Sequence, residues 1–122
     1  MPAIDAAKAS DAWALNVLSS PLLVANRQAI IERTAQLRLP AMYQWPEMAE
    51  EGGLMAYGPR LIQIFRELGR RQLIKLFRGV RPADLPVEQP TQFDLVINLK
   101  TAKALGLTIP PMLLARADEV IE

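Results

Sequence analysis

The 122-residue chain contains no cysteine and no histidine. Zinc sites of the Cys/His type are therefore excluded. So are cysteine nucleophiles, Ser–His–Asp triads and imidazole general bases. The missing cysteine does not place the chain in a compartment, because a disulfide-free protein can reside in a reducing or an oxidising one. No run of about 18 apolar residues occurs, so no segment is expected to span a bilayer. Residues 1–10 lack the basic start and apolar core of a signal peptide, which predicts a cytoplasmic location for the chain expressed as given. The segment GGLMAYGP (Gly52 to Pro59) carries three glycines but no G-x-G-x-x-G pattern, and no Lys-Ser/Thr pair follows it. A phosphate loop is not expected, nor is any metal, cofactor or catalytic residue.

What remains is a globular composition. Apolar residues make up 51% and charged residues 22%, with a formal net charge of +1. The length fits one domain over residues 1–122. Short apolar runs alternate with helical stretches. Trp13 to Leu18, Ala41 to Tyr43, Leu54 to Tyr57 and Phe93 to Asn98 read as strands, and Asp118 to Glu122 as an extended tail. Helices are expected over Ala3 to Ser10, Leu22 to Arg38, Pro46 to Glu51, Arg60 to Arg78, Leu99 to Leu105 and Pro111 to Ala117, with Gly106 closing the fifth. Val80 to Pro90 carries three prolines and reads as an extended connector. The alternation predicts an α/β fold with a short, mostly parallel sheet flanked by helices.

In open α/β sheets ligands sit beyond the carboxyl ends of the strands. Three such ends carry polar or aromatic groups: Ser19-Ser20, Gln44-Trp45 and Tyr57. Hydroxyls and an amide would orient a ligand, and the aromatic rings would supply stacking area. The same residues also have plainer uses. Ser19 or Ser20 can cap the following helix, and Trp45 and Tyr57 can cover the edge of the core. Glu47, Glu50 and Glu51 form an acidic group on a short turn, best read as a solvated face.

The helix from Arg60 to Arg78 sets Arg60, Arg66, Arg70, Arg71, Lys75 and Arg78 against the single acid Glu67. Four of those cations lie in its second half, where they complement the helix dipole. No aromatic-rich or glycine-rich companion follows, so no nucleic-acid partner is expected. Its apolar arc is wide: Leu61, Ile62, Ile64, Phe65, Leu68, Leu73 and Leu76 cover about 180°, whereas a helix resting on one sheet needs about 100°. Leu61, Ile62, Phe65, Leu68 and Leu76 are thus candidate oligomer contacts. A homodimer through residues 60–79 is expected, with exchange of this helix between chains as one route.

Longer segments carry a family likeness. LNVLSSPLLVANRQAI (Leu15 to Ile30), RLPAMYQWPEMAEEGGLMAYGP (Arg38 to Pro59) and PADLPVEQPTQFDLVINLKTAKALGLTIPPMLLARADEVIE (Pro82 to Glu122) resemble the ABC transporter substrate-binding protein family, whose better-known members bind aromatic amino acids. The resemblance implies a type I periplasmic-binding-protein fold, in which two α/β lobes flank a cleft. It covers only the carboxy-terminal part of such a protein and places the helix over residues 60–79 against a lobe that precedes this segment. It also implies a small-molecule solute, an ABC permease as partner and a periplasmic location. Ser19, Ser20, Gln44, Trp45 and Tyr57 would then face the cleft. The alternative is a self-associating structural module without a ligand.

Overall fold

Short apolar runs closed by proline or glycine become strands, and the segments between them become helices. A computed structural model describes residues 2–122. In chain order the elements are α1 (Pro2–Ala9), β1 (Leu15–Val17), α2 (Pro21–Ala25), α3 (Arg27–Gln36), β2 (Ala41–Tyr43), α4 (Pro46–Glu50) and β3 (Met55–Gly58). They continue through α5 (Leu61–Phe77), β4 (Asp94–Asn98), α6 (Leu99–Leu105), α7 (Pro111–Leu114) and β5 (Glu119–Ile121). The expected α/β architecture with a mostly parallel sheet is present.

Among the described residues the strands form one sheet in the order β1-β2-β3-β4-β5. The pairs β1–β2, β2–β3 and β4–β5 are parallel, and β3–β4 is antiparallel. The antiparallel pair arises because the chain leaves the sheet at Gly58, runs out through α5, and returns at Asp94 beside its point of departure.

Two expectations need correction. The helix expected over Leu22 to Arg38 is divided at Asn26, whose backbone (φ −104°, ψ 15°) leaves the helical region. The Asn26 side-chain amide donates to the Leu22 carbonyl at 2.8 Å, a local bond that competes with helix continuation. The connector after α5 is not wholly extended either. Pro82–Asp84 forms a 3₁₀ turn, clasped by Arg81 on Asp84 at 2.8 Å.

Side chains alternate between faces along a strand, so the register fixes which residues share a face. Val17, Tyr43, Ala56, Val96 and Glu119 form one row across the sheet. Tyr43, Ala56 and Val96 from that row join Ile30 and Ile31 of α3 and Met48 and Ala49 of α4 in the core. Asn98 is the main polar group inside. Its amide donates to the Ala49 carbonyl at 3.0 Å, and its oxygen accepts from the Thr101 backbone at 3.1 Å. It thereby caps α6 while holding α4. Gly106 ends α6 at φ 74°, a conformation open to glycine.

Tyr43 is 1% exposed. Its hydroxyl lies 3.1 Å from Thr34 Oγ1, which donates to the Ile31 carbonyl at 2.9 Å. Either hydroxyl can donate across this contact. Burial raises the Tyr43 pKa, partly offset by the Thr34 contact. An unfolded tyrosine ionises near pH 10, and folded Tyr43 ionises higher. Its contribution to stability is complete below about pH 10 and is lost as pH rises toward the folded pKa. Tyr43→Phe is expected to cost about 1 kcal/mol at neutral pH. It should also flatten the alkaline loss of stability, measured by urea unfolding at about pH 8 and about pH 11.

Candidate functional site

The carboxyl ends of β1, β2 and β3 lie along one edge of the sheet, where the chain continues as Leu18-Ser19-Ser20, Gln44-Trp45 and Gly58-Pro59-Arg60. The close approach of two of these ends dictates a glycine. A Cβ placed on Gly58 would lie 1.8 Å from the Gln44 carbonyl oxygen. The end of β3 therefore packs backbone to backbone on the segment leading into α4.

The expected site residues occupy this edge but do not converge on one point. Ser19 is exposed, and Ser20 occupies the N-cap position of α2 without a side-chain capping bond. Gln44 Nε2 reaches Asn16 Oδ1 at 3.4 Å. Tyr57 stands on the sheet face opposite the Tyr43 row. It stacks on Phe93, with ring centroids 5.8 Å apart. That pairing follows from register: Tyr57 is opposite Leu95, and Phe93 precedes Leu95 by one full strand period. Trp45 belongs to the other side, packed against the core cluster beneath α3 and α4.

Trp45 also lines a cavity of about 230 Å³ together with Val24, Arg27, Glu47, Met48 and Leu61. Two polar atoms of its lining residues, Trp45 Nε1 and Glu47 Oε2, are buried without a hydrogen-bond partner. The other Glu47 oxygen accepts from the Leu61 backbone at 2.8 Å and so caps the first turn of α5. Arg27 bonds Glu51 at 2.7 Å, and that contact raises the guanidinium pKa. A larger, apolar cavity of about 510 Å³ opens beside β1, walled by Ile4, Leu15, Val17, Leu18, Leu22 and Leu23.

A cluster that sequence reasoning missed sits where β3 hands over to α5. Arg60 Nε donates to Asp94 at 2.8 Å, one terminal nitrogen donates to Glu119 at 2.6 Å, and the other bonds Glu50. These charge-assisted bonds raise the Arg60 pKa, with Glu50 the largest influence and burial opposing it. In the sequence, Arg60 looks like one more cation of a basic helix. The feature that distinguishes it is its place two residues beyond the strand end at Gly58, which pairs with Asp94, the acid that opens β4.

The candidate oligomer contacts divide. Leu61 and Leu68 are half-buried against their own chain, whereas Ile62 is 62% exposed and Phe65 72%. Leu76 lies at the border, 37% exposed. Arg71 and Lys75 both pair with Glu88 of the connector at 3.2 Å.

The model of the ABC transporter substrate binding protein family matches residues 3–121, so the chain belongs to the ABC transporter substrate-binding protein family. A conserved domain protein from Vibrio cholerae superposes with a TM-score of 0.84 at 26% identity, covering 93% of this chain and 38% of its own. An ABC domain from Streptococcus pneumonia, solved in complex with L-Trp, gives 0.80 at 27% identity over 92% of this chain and 38% of its own. A substrate-binding protein with adhesive properties from Clostridium difficile, in a ligand-free open form, shares the fold at TM-score 0.52 and 21% identity, with 88% and 36% covered. The chain thus spans under two-fifths of the length of these solved structures. Among curated proteins none matches at a significant level. No helix among the described residues is long and apolar enough to cross a membrane.

The Gly58 approach yields a test. Gly58→Ala is expected to destabilise the chain by about 3 kcal/mol, the upper end for overpacking, because the obstructing atom is backbone and cannot rotate away. Chemical unfolding measures the loss, and an unchanged midpoint would mean that the strand ends do not pack this closely.

Proposed function

We propose that this chain supplies one wall of a cleft that captures a small solute, an amino acid, without covalent chemistry, as part of a periplasmic ABC import system. The observation that carries the reading is the pair of unpartnered polar atoms, Trp45 Nε1 and Glu47 Oε2, on residues lining one cavity near the strand ends. Leaving such groups buried and unpaired costs about 1–3 kcal/mol each. A zwitterion satisfies both, its carboxylate accepting from the indole and its ammonium donating to Glu47. The L-Trp held by the Streptococcus relative favours an amino acid with an aromatic side chain. The absence of histidine and cysteine and the family membership favour binding over catalysis. Ser19, Ser20 and Gln44 contribute polar groups on the adjoining loops, and Tyr57 with Phe93 supplies an aromatic surface on the far side of the sheet edge.

A single wall makes only part of the contacts of a closed cleft. The chain alone is expected to bind L-Trp or L-Phe no more tightly than about 1 mM, which corresponds to about 4 kcal/mol. Titration followed by ¹⁵N correlation spectra tests the location. The Trp45 indole signal should move, while Trp13, 90% exposed in a distant loop, serves as an internal control. Trp45→Ala should abolish the response. Equal movement of both indoles, or none, would place the site elsewhere.

The outer face of α5 favours a second reading, self-association. Ile62, Phe65, Gly69, Leu73 and Leu76 form an outward stripe symmetric about Gly69. An antiparallel twofold pair crossing at Gly69 would set Phe65 of one copy on Leu73 of the other, and Ile62 on Leu76. A glycine inside a helix costs about 1 kcal/mol relative to alanine, and a Cβ on Gly69 would meet nothing within 4 Å in its own chain. Close approach of a second helix gives that glycine a use. Arg66 and Arg70 of the two copies would share one flank, so dimerisation should strengthen with added salt. Light scattering at micromolar concentration should report twice the chain mass. Phe65→Glu with Leu73→Glu should return the monomer; an unperturbed dimer would place the interface off this stripe.

A further inference from the structure

From Pro59 to Phe93 no residue is buried. This excursion of α5 and its connector leaves the sheet at Gly58 and rejoins it at Asp94, so apolar packing does little to set its direction. Its two crossings meet at one side chain. Arg60 lies on the outgoing crossing, and Asp94 on the returning one accepts from its Nε at 2.8 Å. Glu119 of β5 and Glu50 of α4 take the two terminal nitrogens. Register explains the convergence: Asp94 is opposite Gly58, Glu119 is opposite Val96, and all lie on the sheet face that carries α4.

We propose that Arg60 is the positioning residue that sets the angle between α5 and the sheet, a polar pin at the two chain crossings. The inference concerns the fold around the cleft and holds whichever solute the cleft takes. Three carboxylates from three separate elements converge on one guanidinium that is 22% exposed at its side chain. Glu47 adds a fourth acid at the start of α5. Without Arg60 these acids would repel one another across the junction, and α5 would lose its direction while the sheet kept its core. The planar guanidinium reaches all three partners at once; a lysine ammonium on its flexible stem cannot reproduce that fork.

The cysteine-free sequence allows clean spin labelling for the test. Arg70→Cys on α5 and Lys103→Cys on α6, both exposed, carry nitroxides, and labelled chain is diluted in excess unlabelled chain to suppress intermolecular distances. The parent should give one narrow distance distribution. Arg60→Ala should broaden it about twofold with the circular dichroism spectrum unchanged, because screening and packing together leave α5 only weakly held. Raising salt should broaden the parent in the same direction, as the Debye length falls from about 10 Å to about 3 Å. Arg60→Ala combined with Glu50→Gln and Glu119→Gln should narrow the distribution again by relieving the repulsion. If Arg60→Ala fails to fold, Arg60→Lys and Glu119→Gln replace it, each expected to broaden the distribution partway. A distribution as narrow as the parent's in the folded variants would overturn the proposal. So would broadening that the added glutamines leave unchanged.

Discussion

The approach of Gly58 to the Gln44 carbonyl governs the geometry of everything beyond the strand ends. Two backbones can meet at this distance because one of them carries no Cβ. The contact seats β3 on the segment that opens α4, brings the outgoing chain past Glu47 and Glu50, and delivers Arg60 to the edge where β4 and β5 begin. A side chain at position 58 would push β3 away from Gln44, and the ionic junction and the capping of α5 by Glu47 would both shift with it.

The molecule divides into two parts held by different forces. The sheet, α3 and α4 share an apolar cluster in which Val96, Ala56 and Ala49 are wholly buried. Burial of this kind is non-directional and is not weakened by ionic screening. The part from Pro59 to Phe93 is held by charge-assisted bonds, which are directional and screened by salt. A packed core resists deformation, whereas a junction of ion pairs can exchange partners at small cost. Proteins that bind by closing around a ligand place their flexible residues at chain crossings between rigid bodies. The crossings here coincide with the boundary between the two kinds of cohesion.

Much of the fold was legible in the sequence because its punctuation is strong. Ala41 to Tyr43 and Leu99 to Leu105 appear with the expected bounds, since proline precedes the first and Gly106 ends the second. Asn26 was not legible as a break, because its effect depends on a side chain folding back onto Leu22, which periodicity does not register. The sheet-edge loops were legible from strand ends alone. Their division between two faces was not, since it rests on register, and a strand of three residues carries too few side chains to declare its face. Arg60 was hidden for a similar reason: its partners are 10, 34 and 59 residues away, and only the fold brings them together.

The register also resolves why one sheet edge carries two unlike surfaces. Residues two apart share a face, so the row through Tyr43 leads at the edge to Gly58, Asp94 and Glu119, while the alternate row leads to Gln44, Tyr57 and Phe93. The first surface is charged and joined to α5. The second is aromatic and amide-bearing, and Tyr57 remains 49% exposed there although it is stacked. Trp45 lies beyond the end of β2, where strand alternation no longer dictates direction, and turns back toward the core side. A solute lying across this edge would therefore meet an indole and a carboxylate on one side and a stacked aromatic pair on the other. The backbone of Gln44 and Gly58 forms the ridge between them. Because that ridge leaves no room for even a Cβ, the two surfaces share one backbone contact, and a change in the direction of α5 is felt first on the charged side.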